Sequence, residues 1–122
     1  MYSDYYEQLT DNEKRFAPKE LYSEGDFSLL TDRRRISVVG SRKVTQNGLK
    51  RTEQLCRILV EKNITVVSGL AEGVDTQAHK SAIKFNGKTI AVLGTSLDIA
   101  YPKANFELLN EVKRNHLAIS QF

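Results

Sequence analysis

RISVVGSRKVTQNG, residues 35–48, is an apolar run that empties into glycine, serine and two bases, with a second glycine eight residues later. Short runs rich in Val and Ile read as strands, and a glycine at the end of such a run lets a ligand approach the backbone. A similar break recurs at TVVSGLAEGVD, residues 65–75. Two strands that each end in a glycine loop and then feed a helix describe an arrangement suited to holding phosphates.

Working outward, four apolar runs stand at 36–39, 64–67, 89–93 and 117–119. Their continuity predicts strands buried on both faces. Between the first two, Leu49, Thr52, Cys56, Leu59 and Val60 fall at helical spacing, with Thr45 as N-cap. Between the second and third, Ala78, Ala82 and Phe85 form another stripe, opened by Asp75 and closed by Asn86-Gly87. Leu108, Leu109 and Val112 share a face in the last connection, after Asn105 as a cap. Four strands alternating with three helices predict an α/β protein with a parallel sheet.

The chain has 122 residues, 40% of them hydrophobic, and two prolines, which suits one core rather than two domains. The first fifteen residues lack the apolar run of a signal peptide and no stretch is long and apolar enough to span a bilayer, so a cytoplasmic location is expected. A lone cysteine, Cys56, has no partner for a disulfide or a thiolate metal site, and a place in the core is expected for it. The net charge of +3 is unevenly spread: residues 1–32 carry −5 and residues 33–122 carry +8. We therefore divide the chain into an acidic, partly helical appendage, 1–32, and a basic core domain, 33–122. A basic body is compatible with a polyanionic partner and equally with an ordinary solvated surface.

In a parallel α/β sheet the loops leaving the carboxyl ends of neighbouring strands share one rim. That rim collects Gly40, Ser41, Arg42 and Lys43, then Ser68, Gly69 and Gly73, then Gly94 and Thr95. Helix N-termini supply N–H groups there, and Arg42 adds a guanidinium able to grip phosphate in two places. The glycines have a second reading as turn residues alone. Dinucleotide binding is disfavoured, because the G-x-G-x-x-G spacing is missing and the second strand ends in Ser68 where an acid would bind a ribose. A P-loop is missing too. His79 stands four residues after Asp75, close enough on a helix for a buttressing hydrogen bond, but no nucleophile completes a catalytic set. His116 is expected at a helix end, and two isolated histidines with one cysteine make no metal-binding spacing.

Taken together, GSRKVTQNG, VVSGLAEGVDTQAH, GKTIAVLGTSLDIAYPKAN and HLAISQF closely resemble the core of the DprA (Smf) family, the DNA-processing proteins of bacteria. The match runs in order from Ile36 to Phe122, and PKELYSEGDFSLL is similar to the family's lead-in. The resemblance implies a Rossmann-like parallel sheet of about four strands with helices on both faces. It further implies a mediator that binds single-stranded DNA, protects it and helps load the RecA recombinase in natural transformation, without a cofactor or a reaction of its own. Arg42 matches the arginine of the family's G-S-R turn. Lys88 matches a basic position after the helix-closing glycine, and both are expected to contact DNA. Lys43, Lys84 and Lys103 are expected to extend the track, and Phe85 and Tyr101 each read as a core ring first and as a ring that stacks a base second.

Family members continue beyond the S-Q-F position with more strands, an R-N-R segment, a further glycine loop and often a winged-helix-like domain, and a helical domain often precedes the core. A chain that stops near Ile119 is expected to leave sheet edges open to self-association. Two alternatives stand beside DNA mediation. One is a nucleotide-binding sensor or relative of the LOG-type nucleoside-monophosphate phosphoribohydrolases, whose P-G-G-x-G-T-x-x-E motif is missing here. The other is an inactive fragment.

Overall fold

The computed structural model describes residues 2–122. Two short helices, α1 (Tyr2–Glu7) and α2 (Asp11–Phe16), lead into strand β1 (Tyr22–Gly25) and the single turn α3 (Ser28–Thr31). The alternation that the sequence predicts then follows: β2 (Arg35–Ser37), α4 (Gln46–Glu61), β3 (Thr65–Ser68), α5 (Val74–Lys84), β4 (Thr89–Leu93), a 3₁₀ turn at Lys103–Asn105, α6 (Phe106–Asn115) and β5 (Leu117–Ser120). Thr45 caps α4 as expected, its hydroxyl accepting from the Gly48 N–H at 3.0 Å. Asn86, at φ +61°, turns the chain out of α5.

The sheet has five strands in the order β1-β5-β4-β3-β2, one more than the sequence suggests. β2 to β5 run parallel, and β1 pairs antiparallel with β5, Tyr22 lying opposite Ser120 and Gly25 opposite Leu117. The extra strand comes from the segment assigned to the appendage, so residues 22–25 are part of the sheet. YSEG escaped detection because it has no apolar run: an antiparallel edge strand needs only its backbone to pair, and its burial is slight. The β5 edge that was expected to lie open is therefore covered, and β1 and β2 form the free edges.

Strand order also fixes where the helices lie. The chain steps from β2 to β3, β4 and β5 in one direction, and right-handed crossovers put every connecting helix on the same face. Val38 and Val66 pack there with Cys56, Leu59, Ala78 and Ala82 from α4 and α5. Ala91, Leu93 and Ala118 pack with Leu109 and Val112 from α6. The opposite face has a lighter cover, in which Leu29 of α3, with Leu21 and Leu30 partly buried, lies on Ile90, Leu117 and Ile119. Helices occupy both faces, as expected, but unequally. β3, β4 and β5 are largely buried, whereas Arg35, Ile36 and Ser37 are all exposed, contrary to the reading of residues 36–39 as a doubly buried strand. β2 sits at an edge, with one neighbour and little cover, and Val39 beyond it is 68% exposed.

Cys56 is fully buried in this core, and burial pushes its thiol up to about 11. Two buried polar atoms, Thr65 Oγ1 and His79 Nε2, lack a hydrogen-bond partner among the described residues. No helix among them is long and apolar enough to cross a membrane, and they contain no cluster of His, Cys, Asp or Glu fit for a metal.

Candidate nucleic-acid interface

The three glycine loops meet at the carboxyl ends of β2, β3 and β4, as parallel topology requires. The first two are locked together. The Val74 N–H, opening α5, donates to the Ser41 carbonyl at 3.1 Å, and Gly73 lies at φ +85° against the backbone of Ser41 and Arg42. A Cβ on Gly73 would fall on the Ser41 carbonyl oxygen and within 2.6 Å of the Arg42 carbonyl oxygen. A Cβ on Gly40 would likewise stand 3.0 Å from the Val74 side chain. Gly94 differs, with nothing within 4 Å of its would-be Cβ, so its backbone faces open space.

Several groups expected to hold phosphate are already engaged. The Gly69 N–H donates to Asp75 Oδ2 at 3.1 Å, so this amide is committed to the buried carboxylate at the head of α5. Ser68 is 2% exposed and its hydroxyl donates to the Val38 carbonyl at 2.6 Å, tying β3 to β2. The Ser41 hydroxyl closes its own turn, accepting from the Lys43 N–H at 3.1 Å and donating to the Lys43 carbonyl at 3.0 Å. Asp75 thus does not bond His79. His79 is fully buried, with Nδ1 2.7 Å from the Thr89 hydroxyl, and burial, seconded by His116, lowers its pKa to about 4. His116 accepts the Thr89 N–H on Nδ1 at 3.3 Å, and burial lowers its pKa as well. Both histidines brace the interior.

What stays open is a groove. A cavity of about 550 Å³ runs between the Gly69–Glu72 loop, Leu93-Gly94-Thr95 and the segment Tyr101-Pro102-Lys103. A second, of about 530 Å³, lies beyond it between Lys43, Val44, Gly73, Thr76 and Asn105. The two share Arg42, Glu72 and Pro102, so they lie side by side on one track along the rim. Arg42, Lys43 and Lys103 line this track and are exposed, and their side chains make no hydrogen bond or ion pair with the described residues. Tyr101, 70% exposed, offers a ring beside Lys103, and Phe106, 56% exposed, stands three residues further on.

The track expected from the sequence is redrawn by this geometry. Lys88 precedes β4 at the amino end of the sheet, where its ammonium donates to the Asn115 carbonyl at 3.1 Å. Lys84 ends α5, on the same side, paired with Glu53 and lying 5.5 Å above the Phe85 ring. These three residues stand away from the rim because the chain reverses through α5 between Gly73 and Lys84. Lys103, offered by the sequence only as an extension, lines the groove. Its signal was present in YPKAN, but the sequence reading does not bring residues 101–103 over the other loops.

The model of the family of the DNA recombination-mediator protein A matches residues 1–122. The chain belongs to this family. It is 43% identical over 106 residues to the DNA processing protein DprA of Streptococcus pneumoniae, covering 87% of this chain and 37% of that one. An X-ray structure of DprA from the same organism superposes with a TM-score of 0.82 at 39% identity, over 96% of this chain and 39% of that chain. DNA processing protein A from Helicobacter pylori, whose structure concerns a single-stranded DNA binding mode, superposes with a TM-score of 0.79 at 34% identity, over 86% and 47% of the two chains. The chain thus spans less than half the length of each of these relatives.

Proposed function

We propose that the rim groove binds single-stranded DNA and that the protein serves recombination as a cytoplasmic mediator, delivering the bound strand to RecA. The observation that carries this reading is the adjacency of the two cavities on either side of Arg42, with Lys43 and Lys103 along the way. An open track with spaced cations suits a flexible phosphate backbone better than a single nucleotide, which a closed pocket would hold. Membership of the family and the DNA-binding relative from Helicobacter pylori support the same reading. The role is one of binding, and no reaction is assigned to the groove. Gly40, Gly73 and Ser68 shape the loops; Arg42, Lys43 and Lys103 attract phosphate; Gly94 and Thr95 form the wall that a strand would pass.

Titration of labelled single strands, duplex and mononucleotides at several salt concentrations tests this. Single strands should bind best, with log affinity falling against log salt by about 0.7 for each of roughly two or three phosphates neutralised. Arg42→Ala and Lys103→Ala should each weaken binding about tenfold, as expected for loss of a charge-assisted contact, while Lys88→Ala should leave it within about twofold. Equal binding by all four proteins would place the DNA elsewhere.

A further inference from the structure

We infer that Asn105 is a positioning residue for the groove: its buried amide clasps the 69–73 loop to the 101–105 segment and sets where Lys103 stands relative to Arg42. The inference rests on the groove being the DNA site.

Asn105 occupies the position before α6 where an asparagine side chain ordinarily caps the helix, yet it makes no cap bond. Its amide nitrogen turns inward and donates to the Leu70 carbonyl at 3.0 Å and to the Thr76 hydroxyl oxygen at 2.9 Å. The Thr76 hydroxyl in turn donates to the Ala71 carbonyl at 2.7 Å. An amide NH₂ has two hydrogens, and both are used. Aspartate has no donor to replace them, and serine has one.

The loop so held is not relaxed. Leu70 lies at φ +61°, a left-handed conformation that a leucine adopts only under constraint. Two things hold it there: its side chain, 1% exposed, packs with Leu93 and Leu109, and its carbonyl is fixed by Asn105. Lys103 and Tyr101 are on the same short segment as Asn105, so the amide ties one wall of the groove directly to the other. Removing it leaves the Leu70 carbonyl without this donor and frees the loop to relax. The spacing of Arg42 and Lys103 would then no longer be set.

The experiment compares Asn105→Ala with the parent by amide hydrogen exchange, thermal unfolding and single-strand titration, alone and combined with Lys103→Ala. The variant should unfold cooperatively while the amides of Gly69, Val74 and Thr76, whose hydrogen bonds hold the loop, exchange about tenfold faster, the rest of the sheet being unchanged. Binding should fall about tenfold, and the double variant should bind within about twofold of Lys103→Ala, because Asn105 acts through the placement of Lys103. Unchanged exchange at these three amides, or losses that simply multiply in the double variant, would overturn the inference. Should Asn105→Ala fail to fold, Thr76→Val decides: it keeps the volume, removes one acceptor, and should move exchange and binding in the same direction by a smaller factor. No change in either would also overturn it. A parent that binds no single strand refutes the DNA reading instead, and exchange at the amides of Gly69, Val74 and Thr76 then tests the clasp separately.

Discussion

Replacing Gly73 by alanine tests the whole geometry of the rim at one atom. Gly73 has φ +85° and ψ −125°, a region that glycine enters freely and residues with a Cβ do not. Holding alanine there costs about 1–3 kcal/mol. The new methyl also meets two carbonyl oxygens of the first loop, and these are backbone atoms that cannot swing aside. Overpacking of this kind adds about 1–3 kcal/mol. The sum, about 2–6 kcal/mol, is a large part of the stability of a domain this size, typically about 5–15 kcal/mol. Two responses are open to the protein: to unfold more readily, or to part the loops and lose the Val74 N–H to Ser41 bond. Urea unfolding and single-strand titration on the same sample read both. Gly94→Ala is the control for unfolding alone, since nothing stands within 4 Å of a Cβ at that position, although it lines the groove. A Gly73→Ala protein with the parent's unfolding midpoint and the parent's affinity would refute the claim that the two loops are locked at this contact.

Glu72 faces the same track as Arg42, so its carboxylate opposes a phosphate backbone; Glu72→Gln should raise single-strand affinity several-fold at low salt, and an unchanged or weaker affinity would count against the assigned path. Stability should fall as pH drops from 6.5 towards 4. His79 stays neutral in the folded protein down to about 4, while the unfolded chain takes up a proton near 6.5, so folding loses up to about 3 kcal/mol across this window. His116 adds in the same direction, and a flat denaturation midpoint between pH 7 and 4.5 would contradict the burial of His79. At the free β2 edge the Val38 N–H bonds the Val67 carbonyl, so by strand alternation the Ser37 N–H points outward. If copies associate through this edge, Ser37→Pro should abolish the concentration dependence seen in sedimentation, and equal association by the variant would exclude the edge.

Much of this protein was legible in its residues. Continuous Val and Ile runs bounded by glycine gave the parallel strands, 3.6-residue stripes such as Thr52-Cys56-Leu59 gave the helices, and G-S-R with S-G-L-A-E-G-V-D marked the rim and the family, because these signals are local in the chain. What needed the tertiary structure is non-local. The pairing of β1 with β5 depends on backbone groups that carry no side-chain signature, so YSEG became visible as a strand only beside Leu117–Ser120. Burial of a strand depends on its neighbours, and the run 36–39, as apolar in sequence as 64–67, is left exposed at every residue but Val38 by its place at the edge. Position along the chain also misled for Lys88, which the reversal through α5 carries to the far end of the sheet from Gly69. Asn105 reads locally as a helix cap, yet it spends its amide on Leu70, 35 residues away, because the fold brings a strained carbonyl within its reach.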